Sequence, residues 1–547
     1  MLVTTTLVIF TLSYITLSQS VSVRSSAAPV VVLDNGVFIG NHVNGIDEFL
    51  GVPYAQAPVG NLRFRCPQGI EPYHGTYNST AYGNVCPQDY LTVVGSPANV
   101  TFLEPFLAAA AKVAQSPNVT QSEDCLNLDV YVPAGAKPGA NIPVIVWLPI
   151  SAFLFGGSSF LDGKKIVERS LQNHEPVILV SINYRMNAFG FLPGQEAKDA
   201  GVTNLGLRDQ RQAFRWVQQY IRQFGGDPKR VTMWGGNAGG TSAGIQMLTN
   251  GGNAEGLFTN VWMHGGFPLP LNTYLDLQGT YDGLVNGTSC QGSSDSLDCL
   301  RQLPFEELYN AMTVSRADER FGRWQVTLDY DFIAEQPETL LTRGSVSRVP
   351  LVVGDTEDEG TSGALNLTSI TTDNDTATWL MEEGIPGISA EDVEHIFALY
   401  PSDPAAGSPF GTGDMYAFTP QYKRLSAIIG DLEYHAQRRF FLNYTSGYLD
   451  QPTWSFLSKE FKYPYIGATD LSEMLNIWGP GSLTDRLISF ATYNTPNNNS
   501  GVQWREWTIP EPHQLNVQND SSFTEGMDTF RAEGTSLLRA LNIQHPE

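Results

Sequence analysis

Apolar residues gather in this chain into runs short enough for strands, spaced by stretches with helical periodicity. Residues 143–148 and 177–184 are almost continuously apolar, and residues 128–132 form a third such run. Runs of this kind suit strands buried on both faces at the centre of a mostly parallel sheet. Residues 30–43 and 48–52 read as small N-terminal strands, and 349–354 as a late one. Residues 207–224 carry a helical pattern, 231–234 a strand, and 241–248 a further helix. Strands alternating with helices predict an α/β sheet with a site beyond the carboxyl ends of its strands. No Pro-, Gly- or Ser-rich linker and no repeat divides the 547 residues, which predicts a single large domain over 21–547.

The passage 224–240 concentrates the candidate chemistry. It reads Phe-Gly-Gly-Asp-Pro-Lys-Arg-Val-Thr-Met-Trp-Gly-Gly-Asn-Ala-Gly-Gly. A strand runs into a glycine-framed turn and then a helix, the layout of a nucleophile elbow. Gly235 and Gly239 let such a strained turn close, and Asn237 stands at its tip. Further motifs follow in order: Gly51-Val-Pro-Tyr-Ala-Gln-Ala-Pro-Val-Gly with Leu62-Arg-Phe, then Glu123-Asp-Cys-Leu-Asn-Leu-Asp-Val-Tyr-Val-Pro. Asn183-Tyr-Arg, Phe189-Gly-Phe-Leu and Asp209-Gln-Arg continue the series. Together they resemble the type-B carboxylesterase/lipase family, which includes cholinesterases and fungal lipases, over roughly residues 30–545. The resemblance implies an α/β-hydrolase fold, a mostly parallel central sheet flanked by helices.

It also implies a triad and an oxyanion loop, and here the chain departs from the family. Asn237 occupies the serine position. An amide cannot attack an ester carbonyl as an activated hydroxyl does. Gly354-Asp-Thr-Glu-Asp-Glu-Gly-Thr places Glu359 where the family has its acid. Tyr465-Ile-Gly-Ala-Thr-Asp-Leu-Ser-Glu places Asp470 at the histidine position and Leu471 at the glycine after it. An Asp side chain is shorter than an imidazole and is a poor base at neutral pH unless its pKa is raised. The family's glycine-rich oxyanion loop becomes Pro149-Ile-Ser-Ala-Phe, with Ser151, Ala152 and Ala238 at the positions whose amides would hold the oxyanion. Side chains at 150–152 are expected to strain that loop or remove its geometry. Ser242, in Gly240-Thr-Ser-Ala-Gly244, matches a serine motif but lies inside the following helix, more than a turn beyond the elbow. A relocated serine at Ser151 lacks an evident histidine partner. His264, in Trp262-Met-His-Gly-Gly, reads as a residue of the core or gorge more readily than as a base.

Three functions follow as expectations. The first is a pocket turned to non-hydrolytic chemistry of cyclase or isomerase type on a small apolar or carbonyl-containing molecule. Asn237, Glu359 and Asp470 would form that site, with a carboxyl pair serving as proton donor. The second is a non-catalytic ligand- or protein-binding member of the family. The third is an ester hydrolase with an unrecognised nucleophile.

Residues 1–20 read as a secretory signal, and no later segment suits a membrane span. The family resemblance implies disulfides Cys86–Cys125 and Cys290–Cys299, which leaves Cys66 over, as a buried free thiol or a reactive one. It also makes 87–124 a candidate lid, with an ordinary surface helix as the alternative. Nine sequons, at Asn78, Asn99, Asn118, Asn286, Asn366, Asn374, Asn443, Asn498 and Asn519, suit a secreted glycoprotein. A formal charge of −24 argues against nucleic acid or an anionic membrane as partner. No zinc spacing, P-loop or dinucleotide fingerprint occurs, so no metal or cofactor is expected.

Overall fold

In the computed structural model, the described residues are 28–88, 120–150, 152–268, 270–317, 324–497 and 501–545. The N-terminal block divides into β1 (Val30–Leu33), β2 (Asn35–Ile39), β3 (Asn41–Val43) and β4 (Ile46–Pro53). Asp34, at φ 49°, turns the chain between the first two. β5 (His74–Asn78) joins β1 and β2 in a small outer sheet.

The main sheet is built from β3, β4, β6 (Asn127–Pro133), β7 (Ile142–Leu148), β8 (Ile178–Ile182), β9 (Gly226–Gly236), β10 (Asn260–His264), β11 (Leu351–Thr356), β12 (Thr453–Ser458), β13 (His513–Val517) and β14 (Phe523–Met527). Its order is β14-β13-β12-β11-β10-β9-β7-β8-β6-β4-β3. The stretch from β8 through β7, β9, β10, β11 and β12 to β13 is parallel, and antiparallel strands flank it on both sides. This is the α/β-hydrolase arrangement that the apolar runs and motifs predict. The late strand starts at Leu351 rather than 349. Pro350 has no N–H to give the ladder, so pairing begins after it.

β7 shows why its sequence is a run without alternation. Val144, Val146 and Leu148 face one apolar layer, and Ile145 and Trp147 face the other. Successive side chains leave a strand on opposite faces, and here both faces are covered. Helices α1 (Lys164–Gln172) and α4 (Ser482–Tyr493) supply Ile166, Val167, Leu487 and Ile488 to the Trp147 side. Helices α2 (Leu205–Tyr220) and α3 (Ala238–Leu248) supply Phe214, Trp216, Ile245 and Met247 to the Val146 side.

The sequence motifs meet as buried ion pairs that fix loops to this frame. Arg63 forks onto Glu123 with both bonds at 2.6 Å. Arg185 forks onto Asp209, its Nε at 2.8 Å and its Nη2 at 2.6 Å. Two-bond guanidinium–carboxylate pairs carry geometric specificity as well as energy. Both implied disulfides are present, Cys86–Cys125 at 2.03 Å and Cys290–Cys299 at 2.13 Å, and Cys66 is free and half-buried. Most of the candidate lid, residues 89–119, lies outside the described residues, as do the signal segment, Ser151, Asn99, Asn118 and Asn498.

Candidate active site

The elbow forms where the sequence places it. β9 ends at Gly236, α3 begins at Ala238, and Asn237 between them takes φ 50° and ψ −121°. That conformation strains any residue with a side chain. The glycines around it are sterically required. A Cβ on Gly235 would lie 2.0 Å from the carbonyl oxygen of Gly239, and one on Gly239 would lie 2.2 Å from that of Leu148.

The Asn237 carboxamide is held at three points. Its Oδ1 accepts the amide of Ala152 at 3.0 Å and that of Ala238 at 2.8 Å. Its Nδ2 donates to Asp470 Oδ2 at 3.0 Å. Two amides converging on one oxygen are the geometry of an oxyanion hole. Of the two outcomes expected for the loop, strain or lost geometry, strain is the one found at Ala152. Its backbone accepts φ 52°, and Phe153 follows at φ 63°. The bond to Asn237 helps hold a conformation that the alanine Cβ opposes. Leu471, at the position of a family glycine, likewise sits at φ 66°.

The sequence also suggests that Asp470 is too short to reach the elbow. It does reach, because the asparagine extends one bond further than a serine hydroxyl would. The two replacements compensate in length.

Glu359 and Glu473 are buried beside this contact. Glu359 Oε1 accepts the Thr356 amide at 2.6 Å, while its Oε2, Glu473 Oε2 and Asp470 Oδ1 are shut from solvent without a hydrogen-bond partner. Burial pushes the Glu359 carboxyl well above the usual carboxylate range, with Asp470 and then Glu473 adding to it. Burial likewise pushes Asp470 well up, with Glu473 next and the Asn237 bond opposing. Like charges in a dry site cannot both ionise cheaply, so the pair retains a proton. Asn237 and Asp470 keep part of their surface accessible.

His264 is not placed to act as a base. It is fully buried, its Nε2 accepts Trp234 Nε1–H at 3.2 Å, and its Nδ1 donates to Glu473 Oε1 at 2.6 Å. Ser242 is buried inside α3, its Oγ accepting Gln210 Nε2 at 3.0 Å. Glu473 is the member that sequence reasoning missed. It closes the same Asp-Leu-Ser-Glu run that nominates Asp470, and its pairing with His264 spans 209 residues.

Two cavities of about 300 Å³ lie elsewhere, one ringed by Arg208, Arg211 and Arg215, the other beside Phe440 and Arg539. Neither touches Asn237. Among the described residues no group of three or more His, Cys, Asp or Glu could hold a metal ion, and no helix is long and apolar enough to cross a membrane.

Comparison with known proteins places this elbow in context. The sequence model of the Carboxylesterase family matches residues 27–384. The chain belongs to the carboxylesterase family. Lipase 4 of Diutina rugosa is 36% identical over 545 residues, covering 95% of this chain and 97% of that lipase. A secreted triacylglycerol lipase of Gibberella zeae is 33% identical over 511 residues, covering 89% and 86%. The crystal structure of Aspergillus niger EstA, at 23% identity, covers 95% of this chain and 99% of its own with a TM-score of 0.79, a likeness of fold. Within this carboxylesterase frame the strand–helix turn carries an asparagine whose side-chain oxygen meets two backbone amides.

Proposed function

We propose that this carboxylesterase-family chain has given up serine ester hydrolysis and uses the Asn237 site for non-hydrolytic chemistry. The reaction would be of cyclase or isomerase type on a small apolar, carbonyl-containing molecule. One observation carries the reading: the oxygen of Asn237 takes both amides that would otherwise stabilise an ester oxyanion. An ester in this site meets no nucleophile and a filled hole. What remains is acid chemistry. The Glu359–Asp470 pair holds a proton beside the partly accessible Asn237, which suits protonation of a carbonyl or alkene and return of the proton at another atom.

Binding without catalysis is the second reading. It is favoured by the fact that all three bonds of the Asn237 side chain are internal. Secretion is supported by the two disulfides and by the relatives named as secreted lipases. Of the sequons in described residues, Asn78, Asn286, Asn366, Asn374 and Asn519 are exposed and open to glycosylation.

The test has two arms. The purified protein is expected to resist fluorophosphonate labelling and to leave short-chain nitrophenyl esters at background. Robust turnover lost in Ser242→Ala would overturn the reading. With polyketide- and terpenoid-type precursors, conversion to products of unchanged mass that disappears in Asp470→Asn supports acid chemistry. Saturable binding without conversion supports the second reading.

A further inference from the structure

Asn237 carries the functional group that hydrolases of this fold class are built to attack. Its carboxamide is a carbonyl with a nitrogen leaving group. The carbonyl oxygen sits on the amides of Ala152 and Ala238, at 3.0 and 2.8 Å, and the nitrogen sits on Asp470, at 3.0 Å. Asp470 Oδ1 and Glu359 Oε2 are buried without a hydrogen-bond partner, and the two carboxyls act on one another electrostatically. We propose that Asn237 is itself a substrate of this site and is hydrolysed there to aspartate.

The step needs only water. Water adds to Cγ, and the carbonyl electron pair moves onto Oδ1, where the two amides stabilise it. The water proton passes to the acid pair, which holds one proton between its two carboxyls. The adduct then reforms its carbonyl, and the Cγ–Nδ2 bond breaks with its electrons going to nitrogen. Asp470 supplies the proton with which nitrogen leaves as ammonia. Carboxamide and water become carboxylic acid and ammonia, and the acid pair ends with the single proton it began with.

The common alternative route is attack by the following backbone nitrogen through a cyclic imide, which yields mostly isoaspartate. Here the Ala238 N–H is committed to Oδ1 at the start of α3. Direct hydrolysis gives ordinary aspartate alone.

The proposal rests on the acid pair of the proposed function. The two fail separately, since peptide mapping reads residue 237 and not small-molecule turnover. The experiment ages the full-length folded protein in ¹⁸O-water and maps residue 237 beside Asn44 and Asn250. Both are exposed asparagines followed by glycine and serve as internal clocks for the imide route. Aspartate without isoaspartate at 237, carrying solvent oxygen, is expected. Its formation should slow roughly 10²-fold in Asp470→Asn, which keeps an acceptor for Nδ2 but removes the acid. Urea-unfolded wild type should lose the acceleration and show 237 no faster than Asn44, which keeps the test decisive if the variant misfolds. An intact Asn237 while Asn44 has converted would overturn the proposal. Isoaspartate at 237, or an unchanged rate in Asp470→Asn, would do the same.

Discussion

Two groups of buried acids grow from the same strand end, four residues apart, and they are treated in opposite ways. Asp355, at the end of β11, accepts Arg438 Nε at 2.6 Å and pairs with His435 Nδ1 at 2.8 Å. Arg438 continues to Asp528 with bonds of 2.6 and 2.9 Å, and Arg439 joins at 2.9 Å. Burial alone would raise Asp528, but Arg438 and Arg439 override it and hold the carboxyl well below its ordinary range. Glu359, a few residues on, meets no arginine among the described residues. Its neighbours are Asp470 and Glu473, and its carboxyl is raised. Depth is similar in the two places, so depth does not decide the protonation state. The presence of a guanidinium does. The first group ties β11 to the C-terminal segment through guanidinium–carboxylate bonds, whereas in the second burial and neighbouring carboxyls favour the protonated form.

The largest test of this contrast is Arg438→Met. It leaves two buried carboxylates short of their cation and should cost about 3–5 kcal/mol of stability, measured by urea unfolding. A loss under about 1 kcal/mol would show that the network is not ionic. Next is the paired change Asn237→Ser with Asp470→His. It frees the amides and restores a hydroxyl, an imidazole and Glu359 in sequence. Nitrophenyl ester hydrolysis should rise roughly 10²-fold over the parent, with Asn237→Ser alone near background. No gain in a folded double variant would mean that the alanine loop cannot serve a substrate oxyanion.

The smallest effect is the most diagnostic. Asp470→Asn should raise stability at neutral pH by about 1–2 kcal/mol, since each unit of raised pKa penalises the ionised form by about 1.4 kcal/mol. The sign follows from linkage. Asp470 has a raised folded pKa, so the wild type is penalised above that pKa. The penalty fades as pH falls toward the unfolded value of about 3.9. Asp528 is the reverse. Its contribution is complete above about 3.9 and is lost as pH falls through its lowered folded pKa. The Asp470→Asn advantage should therefore shrink from pH 8 to pH 5 while the Arg438 network remains intact. An advantage independent of pH would remove the protonated form from the comparison.

Much of this was legible in the sequence, for physical reasons. Strands covered on both faces must be continuously apolar, so β7 and β8 declare themselves. The elbow declares itself because Gly235 and Gly239 are the residues its closure tolerates. Asp470 and Glu359 could be placed by motif, but their partnership with Asn237 depended on side-chain length, and the shortness of aspartate pointed the wrong way. The oxyanion loop was legible only in part. Ala152 and Leu471 occupy left-handed backbone that their residue types disfavour, and local propensity cannot register a conformation held by tertiary contacts. Glu473 was hidden because its partner His264 comes from a distant strand.

The indoles beneath the elbow have an optical consequence. Trp147, Trp234 and Trp478 lie with ring centroids 4.3, 4.9 and 5.0 Å apart, and Trp234 is bonded to His264. At such separations their transition dipoles couple, and the three absorb as one chiral chromophore instead of three independent ones. Trp234 lies in β9 three residues before Asn237, so an elbow shift that displaces Trp234 is expected to alter the split circular-dichroism band. The molecule thus has a label-free spectroscopic gauge of its own site, readable before any ligand is known.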